Sequence, residues 1–395
     1  MRKRLLYITA WGIDRTPHAE TYLPALAADG WEITMVAPNA EQAVLRRVLG
    51  YPCQVRNLGD FSRLPVRTRV ARIVCALIAA RFGPYDVLYL QSHGLAPLAG
   101  LLLRGPLSGK RLVYHTTDYI DPLRYRWRSR LEGMLARRAG LYMNAEYHRA
   151  YISRTQHRIT APILVAPPNL PVEWPVPGPD PALRERLAGG PRDAFVIRLS
   201  GGFHPLRMVP NLLQAVARLP ERFRLTMTKT PADETTVLRL LRRLGIAERV
   251  VLLDQRPYEQ TFAYSVNADA GVLLYANNDL GNFFQAPGRL TECMSCGLPV
   301  VASNFTGLQN LITAYELGVA VDATAPASIA AGFLELETGI RDGRFSRDRI
   351  RRVFLDRFAS NHWYPAVREA FNDLLTGKPM PAFVPTPSSF ELQHG

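Results

Sequence analysis

The chain has 395 residues, 47% of them apolar, and its 48 Lys and Arg against 34 Asp and Glu give a net charge of +14. That length fits two domains of ordinary size, and that apolar share builds packed cores and excludes a disordered chain. No run of about 18 apolar residues occurs, so no membrane-spanning segment is expected, and the basic excess leaves nucleic acid, anionic lipid and phosphorylated substrates open as partners.

The basic start Met1-Arg-Lys-Arg leads into an apolar stretch too short for a signal peptide and without a small-x-small cleavage site. Leu5–Ala10 reads instead as a first buried strand, with Trp11-Gly12 at its carboxyl end. Ligands of open α/β sheets bind at such ends, and Gly12 would let one approach the backbone. A helix over Pro17–Gly30 and a strand over Trp31–Pro38 complete a β-α-β opening. It lacks G-x-G-x-x-G, so a dinucleotide site is not supported.

Residues 63–82 read as an amphipathic helix with five arginines and no acid. Its basic face is either simply solvated or aimed at anionic lipid headgroups. A strand over Asp86–Gln91 ends before Ser92-His93-Gly94, and Gly94–Leu103 is a helix of small residues. The strand Arg111–Tyr114 is expected to end at His115-Thr-Thr-Asp118, polar residues at a carboxyl edge. Pro122–Ala139 is a second basic helix, with Tyr125 and Trp127 among six arginines. Such a face suits a membrane interface, a phosphate-rich acceptor or RNA, but no RNA-binding motif accompanies it.

Strand Leu141–Glu146, helix Tyr147–Gln156 and strand residues from Pro162 lead to Asn169-Leu-Pro171 and a Pro-rich stretch, where a domain boundary is placed. A second β-α-β-α-β series follows: strands Ala194–Leu199, Arg224–Thr228, Val250–Leu253 and Ala270–Tyr275, with helices between them. Ser200-Gly201-Gly202 after the first of these permits close backbone approach to a ligand. Arg207, shortly before a helix that carries Leu212 and Leu213, can hold phosphate oxygens with its guanidinium fork.

The most informative stretch is Gln285-Ala-Pro-Gly-Arg-Leu-Thr-Glu-Cys-Met-Ser-Cys-Gly-Leu-Pro-Val-Val-Ala-Ser303. Pro287 and Gly288 open a helix, Gly297 ends it, and Val300-Val301-Ala302 is a buried strand. A helix amino terminus offers free N–H groups to a diphosphate, and Glu292, one turn in, can accept from the two hydroxyls of a ribose. Cys293 and Cys296 read as small core residues, and the four scattered cysteines argue for a cytoplasmic protein rather than a disulfide scaffold.

The pattern from Pro287 to Ser303 resembles the donor site of retaining glycosyltransferases with the GT-B fold, in particular family 4. The resemblance implies two Rossmann-like α/β domains facing a cleft: an acceptor-side domain over 1–171, a nucleotide-sugar domain over 172–357, a helix over 358–376 crossing back, and a tail over 377–395. It implies transfer of a sugar from a nucleotide diphosphate sugar to an acceptor hydroxyl, with retention and without a metal or other cofactor. Glu292 would hold the ribose. Arg207, Arg289 and the amides of Gly288 and Leu290 would hold the diphosphate, with Gly12 and Gly202 lining the donor site. His115 would contact the donor sugar, and His93 matches a weaker motif. Two departures stand out. Where many members have a second Glu this chain has Phe284, with Asn282 nearby as in a subgroup. Where many have an Arg it has Gly201, for which His204 or Arg289 could substitute. A sugar-nucleotide epimerase and a catalytically silent partner protein remain as alternatives. The expected acceptor is a glycan, a lipid-linked or a small molecule, the expected location the cytoplasm or its membrane face, and nucleic acid is not expected as a partner.

Overall fold

The computed structural model describes residues 2–12, 21–40, 50–103, 111–191, 193–229, 234–285 and 288–387. They fall into two units, Met1–Pro171 with Ser360–Gly395, and Val172–Ala359. The first contains β1 (Lys3–Thr9), α1 (Leu23–Ala28), β2 (Trp31–Ala37), β3 (Cys53–Asn57), α2 (Val66–Phe82), β4 (Val87–Gln91), α3 (Ala96–Leu102), β5 (Arg111–Thr116), α4 (Arg126–Ala136), β6 (Leu141–Asn144), α5 (Tyr147–His157) and β7 (Ile163–Val165). Its seven strands are parallel in the order β3-β2-β1-β4-β5-β6-β7. Alternate side chains leave on opposite faces, so Leu5, Tyr7, Tyr89, Val113 and Met143 form one core and Leu6, Ile8, Leu88, Leu90 and Tyr114 the other.

The second unit runs α6 (Pro181–Ala188), β8 (Phe195–Leu199), α7 (Val209–Arg218), β9 (Phe223–Thr228), α8 (Glu234–Leu244), β10 (Val250–Leu253), α9 (Phe262–Val266), β11 (Ala270–Leu273), α10 (Leu280–Phe283), α11 (Gly288–Ser295), β12 (Val300–Ser303), α12 (Thr306–Ala314), β13 (Gly318–Val321), α13 (Pro326–Arg341) and α14 (Arg347–Val353). Its six parallel strands take the order β10-β9-β8-β11-β12-β13. In both sheets the order reverses beside the first strand of the unit, the crevice at which doubly wound sheets bind ligands.

The last helix, α15 (Tyr364–Thr376), lays Val367, Phe371 and Leu374 on the first unit's Tyr7–Tyr89–Val113 face. A π-helical turn ends at Phe358 in the second unit, so this helix starts at Tyr364 rather than at 358. Part of the tail over 377–395 is docked: Phe383 forms a bridge to Ile163 of β7 and stacks on Tyr147 at 5.1 Å. The expected tail residues 388–395 and the helix start at 17–20 lie outside the described residues.

Other differences have local causes. The helix read from 63 begins at Val66, because Pro65 sits in an extended conformation before it. The one read from Pro122 begins at Arg126, after a turn in which Asp121 accepts from the amide of Leu123 at 2.9 Å. The strand β3 escapes a reading by hydrophobic runs because Cys-Gln-Val-Arg-Asn is a half-exposed edge.

Candidate functional site

In the second unit, Arg207 and Arg289 come together past the carboxyl end of β8. The chain turns there through Ser200 and Gly201, whose φ of +104° lies in the region that favours glycine. The Gly201 carbonyl accepts from the amide of Thr228 at 3.1 Å, fixing the turn against the end of β9. Gly202 follows, half-buried, and a 3-10 turn over Pro205–Arg207 is capped by His204, whose Nδ1 accepts from the amide of Leu206 at 3.2 Å. His204 is thereby exposed and spent on the backbone, which leaves Arg289 as the side chain that fills the space beside Gly201.

A Cβ built on Gly201 would stand 2.8 Å from Nη1 of Arg207 and 3.4 Å from Nη2 of Arg289. Two guanidiniums from different elements therefore meet over one glycine. Burial, then repulsion by Arg289, pushes the Arg207 guanidinium down to about 10. Like charges held together over a bare backbone form a site for an anion with several oxygens.

Arg289 belongs to α11, whose first turn also supplies the amides of Gly288 and Leu290. The Leu290 side chain is core, so its amide is the group it can offer. Pro287, expected to open this helix, lies outside the described residues. Glu292 follows one turn in, half-buried, and the Tyr258 hydroxyl donates to its Oε1 at 2.6 Å. Tyr258 is itself packed edge-on to Trp174 and Phe262, which holds the carboxylate in place. Cys293 and Cys296 are buried behind this helix, and burial pushes both thiols up.

Asn282 precedes this helix in the chain. It lies in α10, and its side chain joins Asn278 and Gln285 in a polar chain, accepting from Gln285 Nε2 at 2.6 Å. Phe284, at the end of α10, follows Phe283, whose ring it meets edge-on at 4.9 Å.

The sequence reading passed over Tyr258, Arg198 and Tyr264. Arg198 is on β8 with only 2% of its surface exposed. Its guanidinium lies over the Tyr264 ring at 5.1 Å and within 3.5 Å of the Thr228 hydroxyl. The available signal was a lone arginine inside the apolar strand Phe-Val-Ile-Arg-Leu.

In the first unit, Trp11, His93 and Asp118 meet at the carboxyl ends of β1, β4 and β5. The rings of Trp11 and His93 are 5.6 Å apart, and His93 Nδ1 is 3.0 Å from Asp118 Oδ2. Burial opposes a charge on His93, but Asp118 outweighs it and raises the imidazole above its ordinary value. Gly12 directly follows Trp11, whose amide donates to Thr9 Oγ1 at 3.1 Å.

His115 requires a correction. The strand β5 continues to Thr116, so His115 is not in the loop after it but inside the sheet, fully buried, on the face it shares with Val113. Its ring stacks on Tyr89 at 6.0 Å, and its Nδ1 is hydrogen-bonded to the Tyr89 hydroxyl at 2.8 Å. The histidine that reaches the strand ends is His93.

Two parallel doubly wound sheets and an arginine–carboxylate site at a helix amino terminus define the GT-B class. The match to known proteins agrees. Residues 194–338 match the family model described as glycosyl transferases group 1. Among curated relatives, the D-inositol 3-phosphate glycosyltransferase of Corynebacterium urealyticum is 26% identical over 234 residues, 56% of this chain and 52% of that protein. The chain spans about half the length of the curated relatives it matches. Among solved structures, Anabaena Alr3699/HepE in complex with UDP superposes with a TM-score of 0.70 at 18% identity, covering 94% of this chain and all of that one. The sucrose-phosphate synthase of Thermosynechococcus elongatus gives 0.69 at 17% identity, with 94% and 100% covered. The fold is thus GT-B, and the resemblance read from Pro287 to Ser303 extends across the core of the second unit.

Proposed function

We propose that this chain is a retaining glycosyltransferase that moves a sugar from a nucleotide diphosphate sugar to an acceptor hydroxyl. The observation that carries the reading is the meeting of Arg207 and Arg289 over Gly201, with Glu292 one turn along the same helix as Arg289. The two arginines and the amides of Gly288 and Leu290 bind the diphosphate, and the carboxylate of Glu292 accepts from the ribose hydroxyls. The HepE structures hold UDP and UDP-glucose, which supports a nucleotide-sugar donor.

In the transfer, the bond from the anomeric carbon to the diphosphate oxygen breaks and a bond to the acceptor oxygen forms on the same face. The acceptor's proton passes to the departing phosphate. Negative charge grows on that phosphate as the bond breaks, and fixed cations beside it lower the barrier most where it is greatest. Two guanidiniums and helix amides supply this stabilisation, so no metal is required of the site. Gly201, one of the two departures from the family pattern, is the residue over which Arg207 and Arg289 meet, which supports a working anion site over a silent protein.

The acceptor lies at a membrane surface in this reading. Leu123 is 90% exposed and Trp127 60%, among exposed Arg124, Arg126, Arg128 and Arg130. Arg128 lies over both the Tyr125 and Trp127 rings, at 5.6 and 5.3 Å. Apolar and aromatic groups carried between arginines suit anionic headgroups.

The test is release of nucleoside diphosphate from a panel of nucleotide sugars mixed with lipid and glycan acceptors, with and without a chelator. Product with the donor's anomeric configuration and no effect of the chelator is the expected result. An inverted product overturns retention, a chelator-sensitive rate overturns metal independence, and no product with any donor overturns transfer.

A further inference from the structure

Residues 172–180 lead from the end of the first unit at Pro171 to α6, and all but one of them are at least partly open to solvent. The exception is Trp174, 8% exposed. Its indole N–H makes no hydrogen bond among the described residues, so the ring is held by packing alone. It meets the Tyr258 ring edge-on at 5.5 Å and the Phe262 ring at 5.6 Å, while Tyr258 and Phe262 meet edge-on at 5.4 Å. A buried indole usually finds an acceptor, and leaving its N–H unpaired is costly. A segment that carries Pro175, Pro177 and Pro179 is also stiff without an anchor. The place of Trp174 is therefore better explained by what its ring touches.

Tyr258 opens a 3-10 turn, Tyr258–Thr261. Its carbonyl accepts from the Thr261 hydroxyl at 2.6 Å, and the amide of Gln260 donates to the Pro257 carbonyl at 3.0 Å. These bonds fix the backbone of the turn and leave the direction of the Tyr258 ring to packing. The hydroxyl at the far end of that ring reaches Glu292 at 2.6 Å, and a modest rotation at the ring's base would carry it out of hydrogen-bond range. Two rings oppose the rotation. Phe262 is part of the buried core of the second unit, and Trp174 belongs to the linker.

We infer that Trp174 is a positioning residue of the donor site: the linker-borne indole fixes Tyr258, and through it Glu292, so that ribose binding and the conformation of residues 172–180 are coupled. This rests on the donor-site reading proposed above. Such coupling is reciprocal. A linker that withdraws its indole weakens nucleotide binding, and a nucleotide that holds Glu292 against Tyr258 holds the linker. Arg207 and Arg289 meet over Gly201 without Tyr258, so inorganic pyrophosphate serves as the internal control.

The experiment starts with calorimetric titration of UDP, GDP, CDP, ADP and inorganic pyrophosphate into the wild type. The tightest nucleotide and pyrophosphate are then titrated into Trp174→Ala, Trp174→Phe, Tyr258→Phe and the double variant Trp174→Ala with Tyr258→Phe. Trp174→Ala is expected to bind the nucleotide about fivefold less tightly and pyrophosphate within about twofold of the wild type. Trp174→Phe, which keeps a ring in place, is expected to recover part of the loss. In Tyr258→Phe the hydroxyl is gone, and adding Trp174→Ala is expected to cost no further nucleotide affinity. A Trp174→Ala protein that binds the nucleotide as the wild type does overturns the inference and leaves the donor site standing. Equal losses of nucleotide and pyrophosphate, or losses that add in the double variant, overturn it too. If Trp174→Ala does not fold, hydrogen exchange of the wild type decides. Slower exchange at Val172, Glu173, Trp174 and Val176 with the nucleotide but not with pyrophosphate supports the coupling, and equal exchange with both overturns it. A wild type that binds none of the four nucleotides overturns the donor-site reading and the coupling with it.

Discussion

Gly201 and Arg207 share a space that only a glycine leaves open: the nearest guanidinium nitrogen is 2.8 Å from where a Cβ would be. Gly201→Ala therefore carries two penalties. An alanine at φ +104° is strained by about 1–2 kcal/mol, and its methyl pushes Arg207 and Arg289 apart. The expected outcome is a modest drop in melting temperature with a larger loss of pyrophosphate affinity. Loss of stability alone, with anion binding intact, would show that the glycine serves only the turn.

Tyr258 orients Glu292 from 34 residues away. Removing the hydroxyl in Tyr258→Phe costs about 1 kcal/mol of net hydrogen-bond energy and frees the carboxylate to rotate. Nucleotide affinity is expected to fall several-fold, while pyrophosphate, which has no ribose, binds as before. Titration of both ligands into the variant checks this.

How far the sequence is legible follows from which contacts are local. The alternation of buried runs with helical spacing marks the inner strands of both sheets, because a strand covered on both faces is apolar throughout; β3 escapes it because it is a half-exposed edge. The helix from Gly288 and its single acid were legible from turn residues and charge alone. What governs the site is not local. The pairing of Arg289 with Gly201 and of Tyr258 with Glu292 spans two or three elements, and no periodicity encodes it. The position of His115 turned on two further residues of β5, which bury it in the sheet, while His93 stands beside Asp118 at the strand ends.

His93 and Asp118 give the first unit a pH signature. Asp118 raises the imidazole above its ordinary 6.5 against the opposing effect of burial. A group whose value is raised on folding contributes stability that is fully present below 6.5 and is lost as pH rises through the folded value. Asp118→Asn is expected to shift the His93 titration downward and to destabilise the protein at pH 6 but not at pH 9. Proton NMR of the imidazole and melts at the two pH values check both, and an unmoved titration would mean that the pair is not formed in solution.

The second unit is expected to bind a nucleoside diphosphate across Arg207, Arg289 and Glu292. Calorimetric titration of UDP, GDP, CDP and ADP into the wild type and Glu292→Ala tests it most directly. At least one of them is expected to bind the wild type, and Glu292→Ala, which removes the acceptor for two ribose hydroxyls, is expected to bind it ~10-fold or more weakly. A folded wild type that binds none of the four, or a variant that binds as tightly as the wild type, would contradict it.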